Sequence, residues 1–108
     1  MAKQWTELEK LTIKKGAHVS NAIALHPKTG TIATLTFYAP DSMHDAFIHL
    51  SADGETFYPF KHKGQSVKVE AGYACDIPLP ACKAMRLETL GEPEEDLAFQ
   101  VLALLEVD

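Results

Sequence analysis

At 108 residues and 11.9 kDa, the chain has material for one hydrophobic core and not for two. A hydrophobic share of 46% beside 23% charged residues excludes wholesale disorder. The net charge of -5, with scattered Lys and Arg, excludes the basic stripe on which nucleic-acid binders depend.

The first fifteen residues carry charges every few positions and no apolar stretch of the signal-peptide kind. Nothing approaches the roughly 18 apolar residues of a membrane-spanning helix. These features predict a soluble protein that stays in the cytoplasm, without a nucleic-acid or membrane partner.

The dominant hydrophobic period is two, so the expected fold is all-β: a single β-sandwich of antiparallel strands, jelly-roll or immunoglobulin-like, with little or no helix. Residues 1–15 hold Trp5, Leu8, Leu11 and Ile13 and read as an N-terminal arm or edge strand, which leaves 16–108 as the sandwich domain. Lys14 and Lys15 follow as loop charges. Thr31 to Tyr38 is the first clear strand, with Ala33, Leu35 and Phe37 on one face and Ile32, Thr34, Thr36 and Tyr38 on the other. Ala46 to Leu50 alternates again, with Ala46, Ile48 and Leu50 together. Ser66 to Ala71 sets Val67 beside Val69, and Ala84 to Thr89 turns Met85 and Leu87 inward and Arg86 and Glu88 outward.

The last run, Leu97 to Val107, has Leu97, Phe99, Val101, Ala103, Leu105 and Val107 on one face and is apolar on both faces at its middle. That suits a central strand buried on both sides, or one whose outer face meets a partner. A helix is the rival, since Ala and Leu are good helix formers. The sustained alternation and the β context favour the strand.

Turn signals punctuate these runs: residues 26–30, 39–42, 52–54, 63–64, 71–72, 78–80 and 91–93. Asp53-Gly54 is the best hairpin signal, because a type I′ turn needs positive φ at both central residues. Ser42 to Asp45 is short enough for a single helical turn. Glu92 to Asp96, acidic and containing Pro93, is expected to be an exposed loop.

The residues of catalysis do not assemble in the sequence. Ser20, Ser42, Ser51 and Ser66 lie outside any GxSxG elbow. His18, His26, His44, His49 and His62 show neither HxH nor HxxxH spacing, and Cys75 and Cys82 form no CxxC pair. The cysteines read as small buried or half-buried hydrophobes. Asp41, Asp45, Asp53 and Glu55 do not match a calcium loop, and no phosphate-cradling GxxxxGK is present. The expectation is a binding protein and not an enzyme, with no catalytic residue, no metal and no cofactor.

Phe57-Tyr58-Pro59-Phe60 follows the hairpin signal and Tyr73 lies near a strand end. Such aromatics fill a core or, when exposed, stack on sugars or anchor an interface. Trp5, of the residue type most enriched at interface hot spots, is the first candidate anchor, and Lys14 and Lys15 are candidate contacts to an acidic shell or to the acidic Glu92 to Asp96 loop of a neighbouring copy.

The segments TIATLTFYAP, FIHLSADGETFYPF, GQSVKVEAG and CDIPLPACKAMRLETLG, with the closing apolar strand, cover residues 30 to 107. In that order they resemble the small β-sandwich virion accessory proteins of tailed bacteriophages, of the capsid decoration or cement kind. The hairpin followed by IPLP and MRL is also similar to carbohydrate-binding sandwiches. The first resemblance implies a structural protein of the virion, assembled in the host cytoplasm, that binds the major capsid protein as a homodimer or homotrimer. The second implies a sugar platform at Phe57, Tyr58 or Tyr73.

Overall fold

A computed structural model of the chain describes residues 2–25, 31–78 and 82–107. Among them are twelve strands and no helix. In chain order they are β1 (Ala2–Glu7), β2 (Leu11–Ile13), β3 (Ile23–Ala24), β4 (Thr31–Tyr38), β5 (Ala46–Ser51), β6 (Tyr58–Pro59), β7 (Lys61–His62), β8 (Gln65–Ser66), β9 (Lys68–Val69), β10 (Ala74–Pro78), β11 (Ala84–Thr89) and β12 (Leu97–Val107).

The strands form two antiparallel sheets and a small hairpin. In the first sheet the order is β1-β12-β4-β10, and β2 lies against the start of β12. Since β1 and β2 occupy the two ends of the same side of β12, they act as one broken edge strand. The second sheet runs β3-β11-β5-β6, with β9 also on β5. There β6 and β9 make a second broken strand, interrupted by the β7–β8 hairpin.

Counted this way, eight strands pair in nested fashion. The first (β1 and β2) pairs with the eighth (β12), the second (β3) with the seventh (β11), the third (β4) with the sixth (β10), and the fourth (β5) with the fifth (β6 and β9). Alternate pairs fall in alternate sheets, and β12–β4 and β11–β5 knit the pairs of each sheet together. This is the strand order of a jelly roll. It is a choice that local alternation cannot make, because jelly-roll and immunoglobulin-like sandwiches share the same strand patterns.

Period two decides what is inside. Along β12, Leu97, Phe99, Val101, Ala103 and Leu105 are buried, whereas Ala98 and Gln100 are exposed and Leu102 and Leu104 half-exposed. Leu11, Ile13, Leu35, Phe37, Ile48, Met85 and Leu87 complete the interior. Arg86 and Glu88 face outward, as the alternation of β11 requires.

Four details of the sequence reading need correction. The β4–β12 register slips between Leu104 and Leu105, so Leu104 opposes Thr34 and Leu105 opposes Ile32. This bulge at Ala33 buries Ile32 with Leu35 and Phe37, where strict alternation put it on the opposite face. Next, β10 begins within the stretch before the Pro78 turn signal. Pro78 is tolerated because β10 is an edge strand and its last residue needs no further ladder bond. The turn signal at 26–30, and residues 79–80 of the one at 78–80, lie outside the described residues. Ser42 to Asp45 is an irregular loop and not a helical turn.

The fourth concerns the hairpin signal. Among the described residues Lys63 is the one non-glycine with positive φ, at 53°, and Gly64 follows at 80°. The pair of positive φ angles that a type I′ turn demands therefore sits between β7 and β8. At 53–54 only Gly54 has positive φ. Asp53 instead folds a longer loop around its carboxylate, which accepts the backbone N–H groups of Glu55 and Thr56 at 2.8 Å and the Ser51 hydroxyl at 3.0 Å. Those donors hold the Asp53 carboxyl down to about 2.

Candidate assembly surface

Nested pairing gathers four connections at one end of the sandwich: residues 14–22, 39–45, 70–73 and 90–96. Each is tied to its neighbours through the backbone. Gly16 N–H donates to Pro93 C=O at 3.1 Å, Lys15 N–H to Asp96 Oδ1 at 2.8 Å and Thr89 N–H to His18 C=O at 2.8 Å. Across the other pair of loops, Gly72 N–H donates to Pro40 C=O and Ala39 N–H to Tyr73 C=O, both at 3.1 Å. Asp45 clamps the same two loops, accepting Ala71 N–H at 3.0 Å and meeting Lys68 Nζ at 3.1 Å. The Ala71 amide, and then the Lys68 ammonium, lower the Asp45 carboxyl from its ordinary range.

The groups left facing solvent at this end are mixed. Met43 is 96% exposed and Leu90 is 79% exposed, although both are large and apolar. A Cβ added at Gly91 would stand 2.8 Å from His44 Cε1, so the loops bearing Met43 and Leu90 lie in direct contact. Beside them opens a groove of ≈ 480 Å³ whose acidic lining includes Asp41, Glu92, Glu94 and Glu95. Within the acidic loop Pro93 is buried and its four acidic neighbours are exposed. Lys14 and Lys15 are exposed on the flank. The Lys15 backbone already meets the acidic loop of its own chain.

Trp5 stands elsewhere, at the middle of β1, and is 69% exposed. It opposes Leu104 on the outer face of the first sheet, one row from Leu102, which opposes Glu7 on β1 and Thr36 on β4. The outer face of a solvated sheet is ordinarily polar. Here Trp5, Leu102, Leu104 and Tyr38 set apolar groups among Lys3, Glu7, Gln100, Thr34, Thr36 and Glu106. The aromatic candidates for sugar stacking are not brought together. Tyr58 opposes Leu50 toward one end of β5, and Tyr73 follows β9, which opposes Ala46 at the other end. Both tyrosines are exposed, but Phe57 is half-buried, with the Arg86 guanidinium 4.5 Å above its ring. Sequence reasoning missed Met43 and Leu90. The available signal was a single large apolar residue within each turn segment, where no alternation gives it a core-facing role.

A second polar cluster lies on the outer face of the other sheet. His49 opposes Arg86 on β11, and its Nε2 is 3.5 Å from Glu88 Oε1. His49 is only 5% exposed and its Nδ1 lacks a hydrogen-bond partner. Burial lowers the His49 pKa, against the Glu88 charge that raises it, and the Arg86 charge lowers it further. A histidine depressed below its ordinary 6.5 stabilises the fold fully above that pH and loses the contribution as pH falls through the lower folded value. Urea titrations at pH 7 and pH 5 are expected to show a drop in stability that His49→Gln removes. An equal drop in that variant would place the acid sensitivity elsewhere.

No family model matches this chain, and no curated protein matches it in sequence. Among solved structures, the SPBc2 prophage-derived protein YomS is similar in fold, with a TM-score of 0.63 at 9% identity over 95% of this chain and 93% of that one. The likeness therefore spans both sheets and both ends of the sandwich.

Proposed function

We propose that this protein is a non-enzymatic structural component of a phage virion, which binds and stabilises a capsid shell as a decoration or cement protein and works as a small oligomer. The observation that carries the reading is the end-to-end fold likeness to a prophage-derived protein. The loop end supports it: Met43 and Leu90 are displayed on loops cross-tied by hydrogen bonds, with charged residues at their rim. Burying two such side chains against a shell subunit supplies apolar area. Lys14 and Lys15 add attraction to an acidic shell and raise the association rate.

Sedimentation of the chain with assembled shells from the same genome tests this. Saturable pelleting at a fixed ratio, together with greater heat resistance of the shells, is expected. Met43→Asp with Leu90→Asp should abolish pelleting without lowering the melting temperature, since both side chains are exposed. A chain left wholly in the supernatant sinks the reading. Exposure of Tyr58 and Tyr73 favours a second one, a carbohydrate-binding module. Chemical-shift changes at either ring on titration with oligosaccharides would move the assignment there.

A further inference from the structure

We propose that β1 is the contact edge for a second copy of this chain, paired antiparallel about a two-fold axis at Trp5 so that two first sheets become one continuous sheet. This deepens the oligomer part of the reading above and does not depend on shell binding.

The four sheet edges differ in how they are guarded. Natural edges are blunted by shortness, proline, interruption or charge. Among the described residues, β3 is two residues long. The opposite edge of that sheet is broken into β6 and β9 by a protruding hairpin and carries Pro59. In the first sheet, β10 carries Asp76 and ends on Pro78. By contrast β1 runs for six residues without proline or bulge, and among the described residues no strand lies against its free side.

The backbone of β1 also fixes which groups face outward. Leu8 N–H donates to Val101 C=O at 2.9 Å, so its direction is toward β12. Backbone direction alternates along an antiparallel strand. Thr6 and Gln4 therefore point to β12 as well, and Lys3, Trp5 and Glu7 present their N–H and C=O groups to the open edge.

A two-fold axis at Trp5 pairs these three outward residues with one another. Trp5 meets Trp5 of the second copy, and Lys3 meets Glu7 of the second copy, twice over. A lysine on an edge ordinarily repels a like strand, but Glu7 at the mirror position turns that repulsion into attraction. Slipping the register by two residues sets Trp5 opposite Lys3 or Glu7 and loses this match. The side chains of Lys3, Trp5 and Glu7 share the outer face, and Leu104 stands beside Trp5. The paired sheet thus carries an unbroken apolar row of Leu104, Trp5 and their counterparts. Within its own chain Glu7 accepts one hydrogen bond, from exposed Gln100 at 3.3 Å, and Lys3 opposes Glu106. Neither arrangement occupies the open side of the strand.

Sedimentation equilibrium of the full chain, followed with fluorescence, tests the proposal. The expected result is a dimer. Emission from Trp5, the single tryptophan, should shift to shorter wavelength as the dimer forms. Lys3→Glu or Glu7→Lys alone should weaken the dimer by roughly tenfold through two like-charge pairs. The double exchange should restore it, and circular dichroism of each variant confirms that the monomer is folded. A monomer or a trimer at all concentrations overturns the proposal, as does a dimer indifferent to the single exchanges. A chain that dimerises yet ignores shells keeps this inference and removes the shell-binding one, whereas a chain that binds shells as a monomer does the reverse.

Discussion

Phe99→Ala is expected to remove about 3–5 kcal/mol of folding stability, a large part of the roughly 5–15 kcal/mol that holds a domain of this kind together. Phe99 is fully buried on β12, the strand that has β2 and β1 along one side and β4 along the other. Truncating it leaves a cavity between the sheets that interior neighbours such as Leu11, opposite on β2, cannot fill without leaving their rotamers. A fall in melting temperature on the order of 20 °C follows. The adjacent residue supplies the control. Gln100 is exposed on the opposite face of the same strand, and Gln100→Ala should shift stability by less than about 0.5 kcal/mol. Similar losses from both variants would mean that β12 does not alternate between core and solvent.

Ser20→Ala carries the second large effect, about 1–3 kcal/mol. Ser20 extends the second sheet beyond β3. Its N–H donates to Leu87 C=O at 2.9 Å, and the return bond runs from Leu87 N–H to the Ser20 hydroxyl, also at 2.9 Å. The hydroxyl stands where a strand would offer its carbonyl, and it donates onward to Asn21 C=O at 2.7 Å. Alanine strands a buried amide on β11, and that desolvated donor has no water to turn to. Hydrogen exchange at the Leu87 amide should accelerate with the loss of stability. Ser20→Thr, which keeps the hydroxyl, should retain most of the protection. Wild-type exchange at Leu87 in the alanine variant would show that another acceptor serves it.

Much of the sandwich is legible in the sequence because burial and strand period coincide. The alternation of β11 and β12 leaves one consistent face for Met85, Leu87, Phe99 and Val101. Legibility fails where a backbone irregularity intervenes. Ala33 carries no mark of the bulge that turns Ile32 inward. The Asp53-Gly54 pair has the composition of a hairpin turn, but the Asp53 carboxylate finds three donors and organises a wider loop, while the less conspicuous Lys63-Gly64 makes the tight turn. Strand order is a long-range property, and neighbours such as Ala2 and Val107 share no local signal. The candidate assembly surface is half visible in the sequence. Trp5 stands out as a candidate by residue type alone, whereas Met43 and Leu90 become conspicuous only once the loops that carry them are seen to leave them in solvent.

The nesting of the strand pairs also grades the chain-closure cost of assembling the two sheets. The innermost pair, β5 with β6 and β9, closes the shortest loop. Each pair outward must close a longer one, until Ala2 comes to rest opposite Val107. Loop-closure entropy rises with that separation, and topologies ruled by distant contacts fold in milliseconds to seconds. β12, the last described strand in chain order, stands between β1 and β4 and so completes the first sheet. The pairing of β1 with β12 thus spans the largest sequence separation of the four and is the costliest to close.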